Sequence, residues 1–201
     1  MTGQTVSVRL ATVQDVPRAL ETLGQAFRDY PYMRHILAAD DHQRRVTQMQ
    51  ALMLERIGLP HGRVWVADDC AAVAVWTTPD STGVLDAFAE IESRMVELAG
   101  DRVEAMREAE QALSPHRPTE PTWFLGVVGV DPQLQGRGLG KAVIRPGLAE
   151  ADRAGLPAYL ETSDERNVHI YRSLGFEVTA EVELTRGGPR TWSMVREPAT
   201  A

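Results

Sequence analysis

Residues Val127–Val143 read VVGVDPQLQGRGLGKAV: an apolar run, a turn written by Asp131 and Pro132, then three alternating glycines ahead of an apolar-periodic segment. The run from Trp123 to Val130 predicts a fully buried strand, and the periodicity that follows predicts a helix to about Arg153. Between them, Gly136, Gly138 and Gly140 offer positive φ or close backbone approach. The first amides of a helix have no partner within it and carry the positive end of the peptide dipoles. A helix entered through glycines can therefore bring several N–H groups against an anion. With Arg137 and Lys141 close by, the chemistry points to a ligand the size of a pyrophosphate.

Two common phosphate loops do not fit. Gly136, Gly140 and Lys141 lack the spacing of G-x-x-x-x-G-K-[ST], and Ala142 follows the lysine. GRGLGKA also lacks the third glycine of G-x-G-x-x-G, and it lies late in the chain.

Upstream, TVSVRLA alternates as a half-buried strand does, and Thr12 with Asp15 forms a capping box for a helix through Ala19, Leu23 and Phe27. That helix is expected to end at Asp29 or Tyr30, because Pro31 disfavours helical backbone in the residue before it. A second helix is expected from about Asp41 to Ile57, broken by Gly58 and Pro60. RVWVADD and AAVAVWTTP pair as a hairpin. Val84, Phe88, Ile91, Met95 and Leu98 share one face of a third helix, and the pattern continues past Gly100 through Met106 to Leu113, the methionines reading as core. SPHRPTEP is a stiff connector. Downstream come a strand in PAYLETS, a short helix in NVHIYRSLGF, and strands near Phe176–Glu183 and Arg190–Val195. Pro146 is expected to kink or shorten the helix behind the glycines. Interleaved strands and helices without repeats give a mixed α/β class, expected as one domain over residues 1–201.

The composition, 43% hydrophobic and 24% charged, is that of a folded chain in water. With 28 acidic against 21 basic residues it lacks a general nucleic-acid surface, so a phosphate site here is local. The single cysteine, Cys70, excludes an intramolecular disulfide framework and reads as a packed thiol at a strand edge. MTGQTVSVRLATVQDV has no basic n-region or long apolar h-region, and no apolar run of about 18 residues occurs, so no membrane association and a cytoplasmic location are expected. His35, His42, His61 and His116 show no metal-ligand spacing; each reads as a surface or capping residue, and no metal is expected.

Gln135, Gly138 and Gly140 form Q-x-x-G-x-G after the strand and V-D-P, while Asn167, Tyr171, Gly175 and Phe176 form N-x-x-x-Y-x-x-x-G-F. Together these motifs resemble the GNAT superfamily of acetyltransferases. The resemblance implies a central mixed, mostly antiparallel sheet flanked by helices, with two splayed strands holding the pantetheine arm of acetyl-CoA. It implies that main-chain groups near Val128 and Val130 pair with that arm. It further implies that the amides of Gln135, Gly136, Arg137, Gly138, Leu139, Gly140 and Lys141 bind the pyrophosphate, that Asn167 contacts the arm, and that Tyr171 sits beside the sulfur. A phenol of ordinary pKa, about 10, is protonated at neutral pH and can donate to a leaving thiolate, so Tyr171 is the expected general acid.

RLATVQDVPRA, DYPYMRH, RVWVADD, AAVAVWTTP, SPHRPTEPTWFL, LETS and GPRTW extend the resemblance from about Val8 to Val195. They point to members of the superfamily that inactivate the antibiotic puromycin by acetylating its free α-amine. Such an amine, with a pKa of about 7.7 to 8.0, needs only a modest base, acting directly or through water. Glu161, at the end of PAYLETS, is the candidate, with an ordinary solvated strand-end carboxylate as the alternative. Tyr30 and Tyr32 could stack on a flat acceptor and Asp29 could attract a cationic amine. No nucleophile is evident, so direct attack in a ternary complex is expected. Two other readings stay open at this point: a GNAT enzyme for another small amine or a protein N-terminus, and a non-catalytic acyl-CoA-binding module.

Overall fold

The computed structural model describes residues 6–199. Its strands are β1 (Val8–Leu10), β2 (Gly62–Ala67), β3 (Ala72–Thr77), β4 (Trp123–Val130), β5 (Ala158–Thr162), β6 (Glu177–Glu183) and β7 (Arg190–Arg196). They form one sheet in the order β1-β2-β3-β4-β5-β7-β6. Only β4 and β5 run parallel; the other neighbours are antiparallel. This is the mixed, mostly antiparallel sheet expected. TVSVRLA shortens to β1, and its first residue, Thr5, lies outside the described residues.

The helices are α1 (Val16–Ala26), α2 (Pro31–Ile36), α3 (His42–Ala51), α4 (Leu59–His61), α5 (Val84–Ala99), α6 (Val103–Leu113), α7 (Leu139–Ala154) and α8 (Glu165–Arg172). Alternation along the hairpin sorts two cores onto the two faces of the sheet. Trp65, Ala67, Ala74 and Trp76 pack with Val143, Ile144 and Leu148 of α7, whereas Val64, Val66, Val73 and Val75 pack with Ala19 and Leu23 of α1. A third cluster joins α2, α3, α5 and α6 through Ile36, Val46, Leu98 and Leu113.

Several expectations are corrected. The first helix ends at Ala26, not Asp29 or Tyr30; Tyr30 is extended (φ −65°, ψ 127°), as a residue before proline must be, and Pro31 opens the unforeseen α2. The second does not break at Gly58: a π-helical stretch, Leu52–Gly58, carries the chain into α4, and the helix ends at His61, one residue after Pro60. Pro146 does not shorten α7, which runs from Leu139 to Ala154; Gly147 beside it lets the helix lie on Trp76, whose ring is 2.5 Å from where a Cβ would stand. Cys70 lies in the β2–β3 turn with φ 54°, beyond the strand proper.

Candidate active site

Pairing between β4 and β5 covers Trp123–Leu125 against Ala158–Leu160. Beyond it β4 stays with β3 to Val130, and β5 stays with β7 to Thr162, so the two strands part. The parting begins at a bulge: Trp76 faces Leu125 but Val75 faces Val127, which leaves Gly126 as the extra residue. The extra residue also reverses the parity of β4. Trp123 and Leu125 face the α7 core before it, and Val128 and Val130 face that core after it, while Val127 turns to the other side. The expected fully buried strand is thus buried alternately, with Gly126 exposed.

Residues 126–130 help to line a cavity of about 1830 Å³. An ordinary small-molecule pocket measures roughly 300–1,000 Å³, so this one has room for two substrates. The glycine turn lines part of it. Asp131 accepts the Gln133 N–H at 3.0 Å and sets the turn's entry. Gly136 (φ 79°) and Gly138 (φ 83°) are left-handed, with nothing within 4 Å of where a Cβ would stand, so their backbone conformation alone requires glycine. Gly138 caps α7, whose first bond runs from the Ala142 N–H to the Gly138 carbonyl at 3.0 Å. The amides of Leu139, Gly140 and Lys141 precede that bond and have no intrahelical partner. Gln135, Gly136, Gly138, Leu139, Gly140 and Lys141 all line the cavity; Arg137 is exposed outside its lining.

At the parting of the strands, Asn167 and Tyr171 stand four residues apart on α8 and share a face. Asp164 caps that helix by accepting the Arg166 N–H at 2.9 Å. Asn167 donates to Thr162 Oγ1 at 3.3 Å, and Tyr171 packs edge-on against Phe176 with ring centres 5.9 Å apart. Burial, with Tyr30 adding to it, pushes the Tyr171 phenol above its ordinary pKa and keeps it protonated.

Glu161 also lines the cavity and is held on two sides. Arg117 Nε donates to Oε1 at 2.8 Å and Nη2 to Oε2 at 3.2 Å, while the Tyr159 hydroxyl donates to Oε1 at 2.9 Å. Arg117 also forks onto Glu110 at 2.6 and 3.0 Å. Burial opposes the Arg117 charge, and its bonds to Glu161 and Glu110 more than offset that, so its pKa rises.

The three proposed acceptor residues line the cavity in different ways. Tyr30 has its hydroxyl committed: it accepts the Ser163 N–H at 2.7 Å, lies 3.1 Å from Thr162 Oγ1, and its ring packs edge-on against Phe27 at 5.2 Å. Tyr32 lies near Glu161, and burial followed by that charge pushes its phenol pKa up. Asp29 is exposed and paired to Arg34, whose hydrogen bond holds its carboxyl below the usual range.

Two histidines depart from expectation. His35 and His42 are buried, at 6% and 7% exposure: His35 packs against Gly188, and the ring nitrogens of His42 face the carbonyls of Ala38 and Arg28 at 3.3 and 3.1 Å. Cys70 is outside the cavity lining, and burial followed by the Asp15 charge pushes its pKa up to about 11. Among the described residues no three His, Cys, Asp or Glu side chains stand together as a metal site, and no helix is long and apolar enough to cross a membrane. Gly126, Glu110, Arg117 and Thr162 escaped the sequence reading. Only Arg117 carried a local signal, since it precedes Pro118 in the stiff connector.

A mixed sheet whose parallel strands part beside a glycine-entered helix, over a cavity for two substrates, is the arrangement expected of an acyl-CoA-dependent N-acetyltransferase. The chain belongs to the acetyltransferase (GNAT) family, whose sequence profile matches residues 30–176. It is 26% identical to an uncharacterised N-acetyltransferase of Schizosaccharomyces pombe, over 97% of this chain and 85% of that protein. A 62-residue stretch is 48% identical to mycothiol acetyltransferase of Thermobifida fusca, covering 29% of this chain and 19% of that one. Among solved structures, one described as histone acetyltransferase HPA2 and related acetyltransferase, from Corynebacterium glutamicum, superposes with a TM-score of 0.75 at 25% identity, covering 98% of this chain and 99% of that one. The family uses acetyl-CoA, and a Salmonella typhimurium structure described as a putative acetyltransferase with its cofactor acetyl-CoA shares the fold (TM-score 0.54, 17% identity, 98% of this chain and 96% of that one).

Proposed function

We propose that this chain acetylates the free α-amine of puromycin or a related aminonucleoside, and so inactivates the antibiotic, by direct attack in a ternary complex. The observation that carries the reading is the make-up of one cavity, whose lining includes the glycine-turn residues Gln135, Gly136, Gly138, Leu139, Gly140 and Lys141 together with Tyr32, Phe124 and Glu161. The glycine turn suits a pantetheine pyrophosphate, and the aromatic rings with the carboxylate suit a flat, aromatic, amine-bearing acceptor.

Acetyl-CoA supplies the acetyl group as a thioester. Main-chain groups near Val128 and Val130 and the side chain of Asn167 hold its arm, and the amides from Gln135 to Lys141, including that of Arg137, hold its phosphates. Tyr171 keeps a proton on its hydroxyl for the departing sulfur, and Glu161 receives the amine's proton directly or through water. Tyr30 and Tyr32 present ring surface to the acceptor, while Asp29 adds negative charge near the mouth. Cys70, buried and outside the cavity lining, takes no part, which supports direct attack and fits a reducing cytoplasm.

The test is a comparison of kcat/KM for puromycin, an aliphatic diamine and a short peptide with a free N-terminus, at saturating acetyl-CoA. Puromycin is expected to lead by about a hundredfold or more, the discrimination a shaped pocket with placed polar groups gives. Equal or faster transfer to the diamine or the peptide would assign the enzyme to another acceptor.

A further inference from the structure

Arg117 is placed by its neighbours in the chain. Pro118 confines the residue before it to extended backbone, and Arg117 has φ −75° and ψ 139°, with its N–H bonded to the Ser114 carbonyl at 3.2 Å. From that anchor its guanidinium reaches β5 and α6 at once, forking onto Glu161 and Glu110, and it lies 6.0 Å from the centre of the Phe124 ring. Two carboxylates on one guanidinium leave the cluster with a net charge of −1. The Glu161 side chain is 14% exposed, whereas that of Glu110 is 55% exposed, so the clamp ties the buried carboxylate to an outer one.

The geometry of the carboxylate follows from its donors. Each carboxylate oxygen has about two lone-pair sites. Oε1 fills both, with Arg117 Nε and the Tyr159 hydroxyl, and Tyr159 is itself fixed by a 3.0 Å bond to Ser193 Oγ. Oε2 accepts only Arg117 Nη2, at 3.2 Å. One lone pair of Glu161 is therefore open. Tyr32 from α2, Glu110 from α6 and Tyr159 from β5 are the other titratable groups near it.

We propose that Arg117 is a positioning residue for acetyl transfer: clamped between Glu161 and Glu110, it orients the Glu161 carboxylate so that Oε2 alone is free to take the acceptor's proton. This rests on the assignment of Glu161 as the group that receives that proton. A fork is needed, because a lysine ammonium can neutralise the carboxylate but cannot hold both oxygens in one plane.

A double-mutant cycle tests the proposal, with kcat and acceptor KM measured for Arg117→Met, Glu161→Gln and the double variant, and the acetyl-CoA Kd measured by calorimetry. Arg117→Met is expected to lower kcat about tenfold or more, with the acetyl-CoA Kd unchanged. Because Arg117 acts through Glu161, the double variant is expected to be no slower than Glu161→Gln alone. Arg117→Lys is expected to recover only part of the loss. Should Arg117→Met fail to fold, Glu110→Gln, which frees one arm of the clamp, is expected to lower kcat severalfold. Multiplicative losses in the double variant, full activity of Arg117→Met, or full activity of Glu110→Gln where it stands in, would overturn the proposal while leaving Glu161 in its role. Full activity of Glu161→Gln would overturn both.

Discussion

The Tyr30 hydroxyl accepts the Ser163 backbone N–H at 2.7 Å, joining residues 133 positions apart. Tyr30 leads into α2, and Ser163 follows β5 where that strand has left β4. The same phenol lies 3.1 Å from Thr162 Oγ1, the atom to which Asn167 donates. A residue proposed for the acceptor thus shares Thr162 Oγ1 with one proposed for the cofactor. Tyr30→Phe is expected to leave the Ser163 N–H without its partner, at a cost of about 1–3 kcal/mol, and to weaken acetyl-CoA binding through Asn167. Urea unfolding and calorimetry check this; an unchanged midpoint and Kd would refute it.

The glycine turn makes a graded prediction. Gly136→Ala and Gly138→Ala force left-handed backbone on a residue with a Cβ, at about 1–2 kcal/mol each, though nothing stands within 4 Å to clash. The loop is expected to relax out of its binding shape and acetyl-CoA affinity to fall about tenfold. Gly140→Ala, where a Cβ would meet Val130 Cγ2 at 3.3 Å without left-handed backbone, is expected to cost less. Calorimetric Kd values in the opposite order would count against the amide site.

Tyr171→Phe is expected to lower kcat about a hundredfold with little change in the acetyl-CoA Kd. The pH profile carries the sign. An acid is lost as pH rises through its pKa, and burial raises that of Tyr171 above the ordinary value of about 10. The wild-type rate is therefore expected to hold up to about pH 10. A descending limb below that value, absent in Tyr171→Phe, would contradict this.

Arg196 on β7 forks onto Asp152 of α7 at 2.7 and 2.9 Å. Those bonds hold the Asp152 carboxyl below the usual carboxylate range. A lowered folded-state pKa contributes stability above the unfolded value, and that stability is lost as pH falls through the folded one. Asp152→Asn is expected to lower the urea midpoint at neutral pH by an amount that shrinks toward acid. A difference independent of pH would refute the assignment.

The parts of this molecule that follow local rules were legible in the sequence. Gly136 and Gly138, the α7 that follows them, and the Asn167–Tyr171 spacing announce part of the cavity's lining. The apolar runs of RVWVADD and AAVAVWTTP announce the hairpin of β2 and β3. The rest depends on contacts far apart in sequence. Nothing near Gly126 signals a bulge, because the extra residue exists only relative to β3. α2 is six residues long, too short to show a period, and the π-helical stretch at Leu52–Gly58 keeps a helical pattern through residues that ordinarily end one. Glu161 could be placed at a strand end, but its clamp comes from Arg117, 44 residues earlier.

The central claim is tested most directly by free-thiol release from acetyl-CoA with puromycin as acceptor, followed by mass analysis of the product. The account predicts a puromycin-dependent signal and a product carrying one acetyl group on the α-amine, both strongly reduced in Tyr171→Phe. Acetyl-CoA binding without thiol release, or acetylation at another position, would contradict it.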